Sequence, residues 1–419
     1  MQGSHSGWAQ VLVLALGLAA PACGGEDAES RAAAPSAGSA GAAGSGGAAG
    51  SAGNTASGGS SGSSGSAGVG GQGGAAVAVY PDPDWASGSA TDHGLDPALL
   101  LAAGSVAESL DSYCLLVIRH GVLVSEQYFH DADATSAHPS WSIAKSYASA
   151  LVGIAIERGE IQSLDQPVAD FIPEWKSDAR KDIRISHVVT MTSGLKWSAF
   201  SDYVSMATFA QNHSAFAEAL SADTLPGSEW VYHNGGVQLL EPIFRAATGM
   251  SIESYAEKHL WKKLGVSASW GRDPAGNPTP YANVFASCRD HARLGYLYLR
   301  GGKWKQDAVL PAAWVKASTA PSQAHNRAYG YLWWLNAEQP AMDAMMAPFP
   351  GRMSPDAPTD LFAARGFGNQ FIDVIPSLDM VVVRFGKDPT GKLDLAAYAN
   401  DQRFEKHEQI LGAVLSAVH

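Results

Sequence analysis

The stretch from Gly24 to Gly74 is built almost entirely of glycine, alanine and serine, and it limits which part of this chain can fold. Such a segment cannot bury enough apolar surface to offset the entropy of ordering it, so it reads as a disordered tether. About fifty residues of this kind have a root-mean-square reach of roughly 40 Å, which suits a domain held off a membrane surface. From Tyr80 the composition becomes globular and stays so to His419. Length alone would allow two or three domains. The shift in composition argues instead for a processing segment over residues 1–23, a tether over 24–79 and one folded domain over 80–419.

Ahead of the tether, Ala9–Ala20 forms an apolar run too short to span a bilayer and followed by small residues. Pro21-Ala22-Cys23-Gly24 then places a cysteine where a bacterial lipoprotein signal carries its lipidated residue. The pattern departs from such signals in two ways: Ala20 stands where Leu is usual, and no Lys or Arg precedes the apolar run. An ordinary cleaved signal peptide is the alternative. The expectation is an exported protein, membrane-anchored through lipidated Cys23 at the periplasm or cell surface, and otherwise secreted. A formal net charge of -12 argues against a nucleic-acid partner, whose footprint would be basic. Of the other two cysteines, Cys114 lies in an apolar strand-like run and Cys288 at the start of a helical pattern. They read as two buried free thiols, with a bridge in an oxidising compartment as the alternative.

Within the folded part, Asp96-Pro97 opens a helix running to Asp111. Tyr113–Arg119 and Val122–Phe129 flank His120-Gly121 as a hairpin with a two-residue turn. Helices are expected over Ser142–Arg158, Ile183–Met191 (stopped at Gly194), Asn234–Ala247, Ile252–Leu264, Ser287–Arg300 and Gln402–Val418. Tyr329–Asn336 has strand character, and Gln370–Ile375 with Met380–Phe385 forms a second hairpin around Pro376-Ser377. Strands at both ends with helices between them predict an α+β fold. The terminal hairpins would pair into one antiparallel sheet flanked by helices, with a helical lobe beside it and a site in the cleft.

Ser142-Ile143-Ala144-Lys145 carries the first chemical signal. Residues three apart share a helical face, and a desolvated lysine can take a serine proton at neutral pH. Two fixed positions recur by chance in a chain of this length, and Ser193-Gly194-Leu195-Lys196 is a second copy. There Gly194 reads as a helix C-cap, which separates serine from lysine. Ser142 instead follows Pro139 and Ser140, a helix-start signal, and leads into the tightly packed Ala144, Ala148 and Leu151. It would sit in a first turn, where the helix dipole favours developing negative charge. The second signal is Tyr232-His233-Asn234-Gly235-Gly236, with a tyrosine to act in or relay proton transfer and an asparagine to orient the lysine or substrate. Tyr281-Ala282-Asn283 and Tyr398-Ala399-Asn400 match the same spacing, but only the Tyr232 copy runs through paired glycines into a long apolar helix. The third is Ala364-Arg365-Gly366-Phe367-Gly368-Asn369-Gln370. Glycines at a strand edge let substrate backbone approach, and a strand N–H can complete an oxyanion hole with that of Ser142.

These three elements, in this order between terminal hairpins, resemble the serine β-lactamase and penicillin-binding protein superfamily. The resemblance is nearest to the branch of class C β-lactamases, DD-peptidases, family VIII carboxylesterases and 6-aminohexanoate-oligomer hydrolases. Gly159–Pro173, Ile185–Leu195 and Arg293–Trp304 agree with it, and it covers essentially all of residues 100–418. It implies that Ser142 is the nucleophile, that Lys145 and Tyr232 share proton transfer, and that Asn234 and Gly366 support them. It further implies an oxyanion hole from the backbone N–H groups of Ser142 and Phe367, an acyl-enzyme resolved by water, and no cofactor or metal.

One departure bears on substrate. Relatives acting on β-lactams or peptidoglycan usually carry Lys-Thr-Gly, or a His variant, where this chain has Ala364-Arg365-Gly366. Alternation on a strand means Arg365 need not face the cleft if Ala364 does. Cleavage of a small-molecule ester or linear amide is therefore the expected activity. A β-lactamase, a DD-peptidase or a penicillin-binding receptor that acylates without turnover is the alternative. Trp197, Tyr203 and Trp230 could line an acyl pocket, although aromatic core packing explains such residues more often. Rival motifs fare badly. Gly58–Gly62 fits a nucleophile elbow but lies in the tether, and the thirteen histidines include no HExxH pair.

Overall fold

The computed structural model describes residues 78–387 and 405–419. The signal segment, Cys23, the tether to residue 77, the Tyr398 copy and residues 402–404 lie outside the described residues.

Helix α1 (Pro97–Ser109) starts where expected, with the Asp96 carboxylate accepting from the N–H groups of Ala98 and Leu99 at 2.7 and 3.2 Å. Strands β1 (Ser112–Arg119) and β2 (Val122–Tyr128) follow. His120 and Gly121 both take left-handed backbone angles, φ 53° and 82°, the geometry that lets a two-residue turn match strand twist. A small sheet has the order β3 (Ala137–Pro139), β5 (Val284–Ser287), β4 (Ala268–Trp270), and β6 (Lys303–Trp304) pairs with β7 (Asp307–Ala308). Then come β8 (Trp334–Leu335), β9 (Phe362–Gly366), β10 (Gln370–Ile375) and β11 (Met380–Gly386). The main sheet has the order β2-β1-β11-β10-β9-β8, antiparallel throughout, so the first and last hairpins meet at β1 and β11.

β10 and β11 are buried along their whole length, which requires cover on both faces. Their alternation shows what supplies it. Ile372 and Val374 meet the helix Cys288–Leu299 at Gly295, where an added Cβ would lie 2.6 Å from Ile372 Cγ2. Phe371 and Asp373 point the other way, onto the helix Glu405–Leu415. There the Phe371 ring packs on His407 at 4.7 Å, and His407 Nε2 lies 2.8 Å from the Asp373 carboxylate. The terminal helix packs in turn against α1. The result is a three-layer α+β domain, with the helices of residues 144–264 beside it. Helix α2 (Ala144–Glu157) belongs to that lobe and is buried from Ala144 through Ala155, so it is packed on every side.

Three expectations are corrected. Cys114 and Cys288 are buried but not free: they form a disulfide across 174 residues, tying β1 to the first turn of the helix Cys288–Leu299. Only the assembled fold brings these two positions together. Of Tyr329–Asn336, only Trp334–Leu335 is strand. Leu332 has φ 60°, and Gly330 sits so close to Ser318 that a Cβ would come within 2.1 Å of its carbonyl oxygen, so the chain doubles back before pairing. The helix expected over Ile183–Met191 is shorter, Ile185–Val189, and Gly194 (φ 69°) is not its cap. Gly194 packs against the Thr224 carbonyl instead, and Ser193 and Lys196 lie in a loop.

Candidate active site

The turn carrying Ser142 is clamped from two sides. Ser140 N–H donates to the Val284 carbonyl at 3.0 Å, and Ser140 Oγ accepts from Val284 N–H at 2.8 Å. Trp141 N–H donates to Asn283 Oδ1 at 3.2 Å while Asn283 N–H donates to the Trp141 carbonyl at 3.0 Å. From the other side comes Gly366, at the end of β9. A Cβ there would stand 2.3 Å from the Ser140 carbonyl oxygen and 3.0 Å from Trp141 Cβ. Trp141 is held at φ 48°, a left-handed conformation that a bulky residue adopts only when its surroundings impose it. Ser142 follows in a 3₁₀ turn, Trp141–Ile143, that runs straight into α2. The helix therefore starts where Pro139 and Ser140 signal it, but the Ser140 hydroxyl grips β5 and caps nothing.

One turn on, Lys145 is 1% exposed. Its Nζ lies 2.9 Å from Ser142 Oγ, 2.7 Å from Asn234 Oδ1 and 2.8 Å from the Tyr281 carbonyl oxygen. Burial pulls its pKa down to about 7, with the Asp202 carboxylate opposing. Two of the three contacts are oxygens that can only accept. A neutral lysine has two N–H groups for them and a lone pair left for the serine proton, so the site suits the amine as well as the ammonium. Tyr232 completes the group. Its ring lies 4.8 Å from Nζ, and burial raises its phenol well above the usual value, with the neighbouring Ser142 side chain opposing. Trp334 stacks on its ring at 5.8 Å, and Trp230 and Tyr329 extend the aromatic wall.

The structure thus brings together Ser142, Lys145, Tyr232, Asn234 and Gly366. Phe367 joins them by packing edge-on against Trp141, with ring centroids 5.2 Å apart. Arg365 pairs across the strands with Phe371, whose face is covered by the terminal helix. Its charge acts on His407 and Glu408 of that helix as well as on Tyr232. Trp230 and Tyr203 are buried in aromatic packing, Tyr203 beside Trp197 at 6.5 Å.

Three residues went unrecognised in the sequence. Tyr281 looked like an idle copy of the tyrosine motif, yet its carbonyl holds Lys145 and Asn283 holds the Ser142 turn. Its hydroxyl faces His213 Nδ1 at 3.1 Å. Asp202 lies in the helical segment Phe200–Phe209 and is 2% exposed. It accepts from the N–H groups of Asn234 and Gly235 at 3.0 and 2.8 Å, where the short helix Asn234–Gln238 begins. A lone aspartate in a mixed apolar stretch carries no signal of such a role.

Ser142, the buried Lys145 and Tyr232 thus lie together at the junction of a helical lobe and an antiparallel sheet. The family model described as Beta-lactamase matches residues 101–403, and the chain belongs to that family, whose members are hydrolases. Among characterised relatives, the 6-aminohexanoate-dimer hydrolase of Paenarthrobacter ureafaciens is 26% identical over 244 residues, 53% of this chain and 62% of that protein. The alignment thus spans less than two thirds of that relative. Solved structures share the fold. One is EstCE1, described as a hydrolase with promiscuous acyltransferase activity (TM-score 0.59, 16% identity, 78% of this chain and 100% of that one). Another is a penicillin-binding protein homologue from Caulobacter crescentus (TM-score 0.58, 16% identity, 77% and 99%).

Proposed function

We propose that this chain is an exported serine hydrolase that cleaves an ester or a linear amide through an acyl-enzyme on Ser142. The observation that carries the reading is the 2.9 Å approach of a buried, easily neutralised Lys145 Nζ to Ser142 Oγ. In this reading Lys145 takes the Ser142 proton as Oγ attacks the carbonyl carbon. Tyr232, beside the same serine and lysine, passes a proton to the leaving oxygen or nitrogen as its bond to the acyl carbon breaks. The backbone N–H groups of Ser142 and Phe367 stabilise the oxyanion in both halves of the reaction. Water then attacks the ester, with the same pair withdrawing its proton and returning one to Oγ. Asn234 and the Tyr281 carbonyl keep the lysine aimed.

The preference for esters or linear amides rests on Ala364-Arg365-Gly366, which lacks the cationic and hydroxyl grip of Lys-Thr-Gly on a substrate carboxylate. The name of the 6-aminohexanoate-dimer hydrolase relative points the same way. Export, with anchoring through Cys23, is part of the proposal, and the Cys114–Cys288 disulfide favours an oxidising compartment. The test is a panel of short-chain nitrophenyl esters, a linear 6-aminohexanoate dimer, a chromogenic cephalosporin and a D-Ala-D-Ala peptide, run on the parent and on Ser142→Ala. Ser142-dependent turnover of the first two supports the proposal. Turnover of only the last two assigns a β-lactamase or DD-peptidase instead, and one acylation without turnover assigns a receptor.

A further inference from the structure

Asp202 is a buried carboxylate that does not touch Ser142, yet everything around it leads there. Its two oxygens take the N–H groups of Asn234 and Gly235, fixing the start of the helix that presents Asn234. Asn234 Oδ1 in turn accepts from Lys145 Nζ at 2.7 Å, and Nζ lies 2.9 Å from Ser142 Oγ. The chain of contacts therefore runs carboxylate, backbone amide, side-chain amide, amine, hydroxyl, with no exposed member before the serine. We propose that Asp202 is a positioning residue for the hydrolytic site, seating Asn234 against Lys145 and setting a buried negative charge opposite the lysine. The proposal deepens the reading of Ser142 as the acylated residue and rests on it for its consequence in turnover.

Two effects distinguish this role from plain helix capping. A cap needs acceptors, which asparagine supplies in part, whereas the lysine responds to charge. The lysine sits between opposing influences: burial favours the amine, and Asp202 favours the ammonium. The groups facing this region are few. His233 Nε2 lies 3.7 Å from Asp202 Oδ1, and burial keeps that imidazole below its ordinary value, toward the neutral form. Tyr232 and Tyr281 present their rings to Nζ at 4.8 and 5.8 Å, and burial raises both phenols. Behind Tyr281 stand His213 and Asp273, the latter accepting from His213 N–H at 2.8 Å, and Arg365 acts on Tyr232. With these neighbours unchanged, removing the Asp202 charge leaves burial the dominant influence on Lys145. The lysine should then lose its proton at lower pH.

The experiment compares the parent with Asp202→Asn in the full chain, with lysine ¹³C-labelled and the Lys145 signal assigned from its loss in Lys145→Arg. The expected result is a midpoint for Lys145 lower by about one pH unit in the variant, with the acid limb of kcat/KM moving by the same amount. His233→Gln should leave that midpoint in place. An unmoved Lys145 midpoint in a folded Asp202→Asn protein overturns the proposal, even if activity falls, because it leaves Asp202 as a helix cap only. So does an equal displacement in His233→Gln, which would give the charge to the histidine. The spectrum needs no turnover, so a parent that fails to acylate would sink the functional reading while the Asp202 test still returned an answer.

Discussion

Replacing Lys145 by arginine tests the chemistry at the point where burial matters most. An ordinary lysine has a pKa near 10.5 and is neutral in about one molecule in 3,000 at pH 7. Burial in this site brings the value down to about 7, so that about half the molecules carry the free amine. The gain in competent base is about a thousandfold, equivalent to ~5 kcal/mol at 1.36 kcal/mol per pH unit. Because the neutral form is the active one, activity is present above pH 7 and is lost as the pH falls. About one-tenth should remain at pH 6, with a plateau above pH 8. Arginine keeps the positive charge and most of the length but stays protonated at every accessible pH. Lys145→Arg should therefore lower kcat/KM by roughly 10²–10⁴ and abolish the acid limb. The assay is initial rates on a nitrophenyl ester without titrating groups, from pH 5 to 9, with circular dichroism to show that the variant folds. A parent limb above pH 9, or an arginine variant within tenfold of the parent, would refute proton transfer to Lys145.

Three further outcomes follow from packing. Gly366→Ala drives a Cβ to 2.3 Å from the Ser140 carbonyl, so the Ser142 turn must shift. A displacement near 1 Å costs on the order of 100-fold in kcat and ~1–3 kcal/mol in stability, read by kinetics and urea melts. Tyr232→Phe should lower turnover strongly while Tyr281→Phe leaves it within a few-fold, since Tyr281 holds Lys145 through its carbonyl and bonds His213 with its hydroxyl. Equal losses would contradict this division of roles. Joining Cys114 to Cys288 across 174 residues restricts the unfolded chain by ~5 kcal/mol on a loop-entropy basis. Cys114→Ala with Cys288→Ala should lose several kcal/mol in guanidinium melts, and labelling of both thiols in unreduced, unfolded parent would show that the bond is not formed.

What could be read in the sequence depended on how far apart the cooperating residues lie. The β1–β2 hairpin was legible because His120-Gly121 states its turn locally, and β10 and β11 because two short strand-like runs flank Pro376-Ser377. Ser142 and Lys145 were legible because one helical turn separates them, and Asn234 because it follows Tyr232 within the same motif. Contacts made only by the assembled fold were hidden. The Tyr281 carbonyl reaches Lys145 across 136 residues, and the Asp202 carboxylate reaches Asn234 N–H across 32. Neither a backbone oxygen nor a single aspartate marks itself by residue type. Tyr329–Asn336 misled for the opposite reason, because its aromatic content reflects packing behind Tyr232 and not a long strand.

The most direct measurement is the intact mass of the full chain quenched in acid during turnover of a slowly hydrolysed nitrophenyl ester. Addition of one acyl group, mapped to the peptide containing Ser142 and absent from Ser142→Ala, is the predicted result. Acylation at any other residue, or undiminished turnover by Ser142→Ala, would contradict the assignment of Ser142 as the nucleophile.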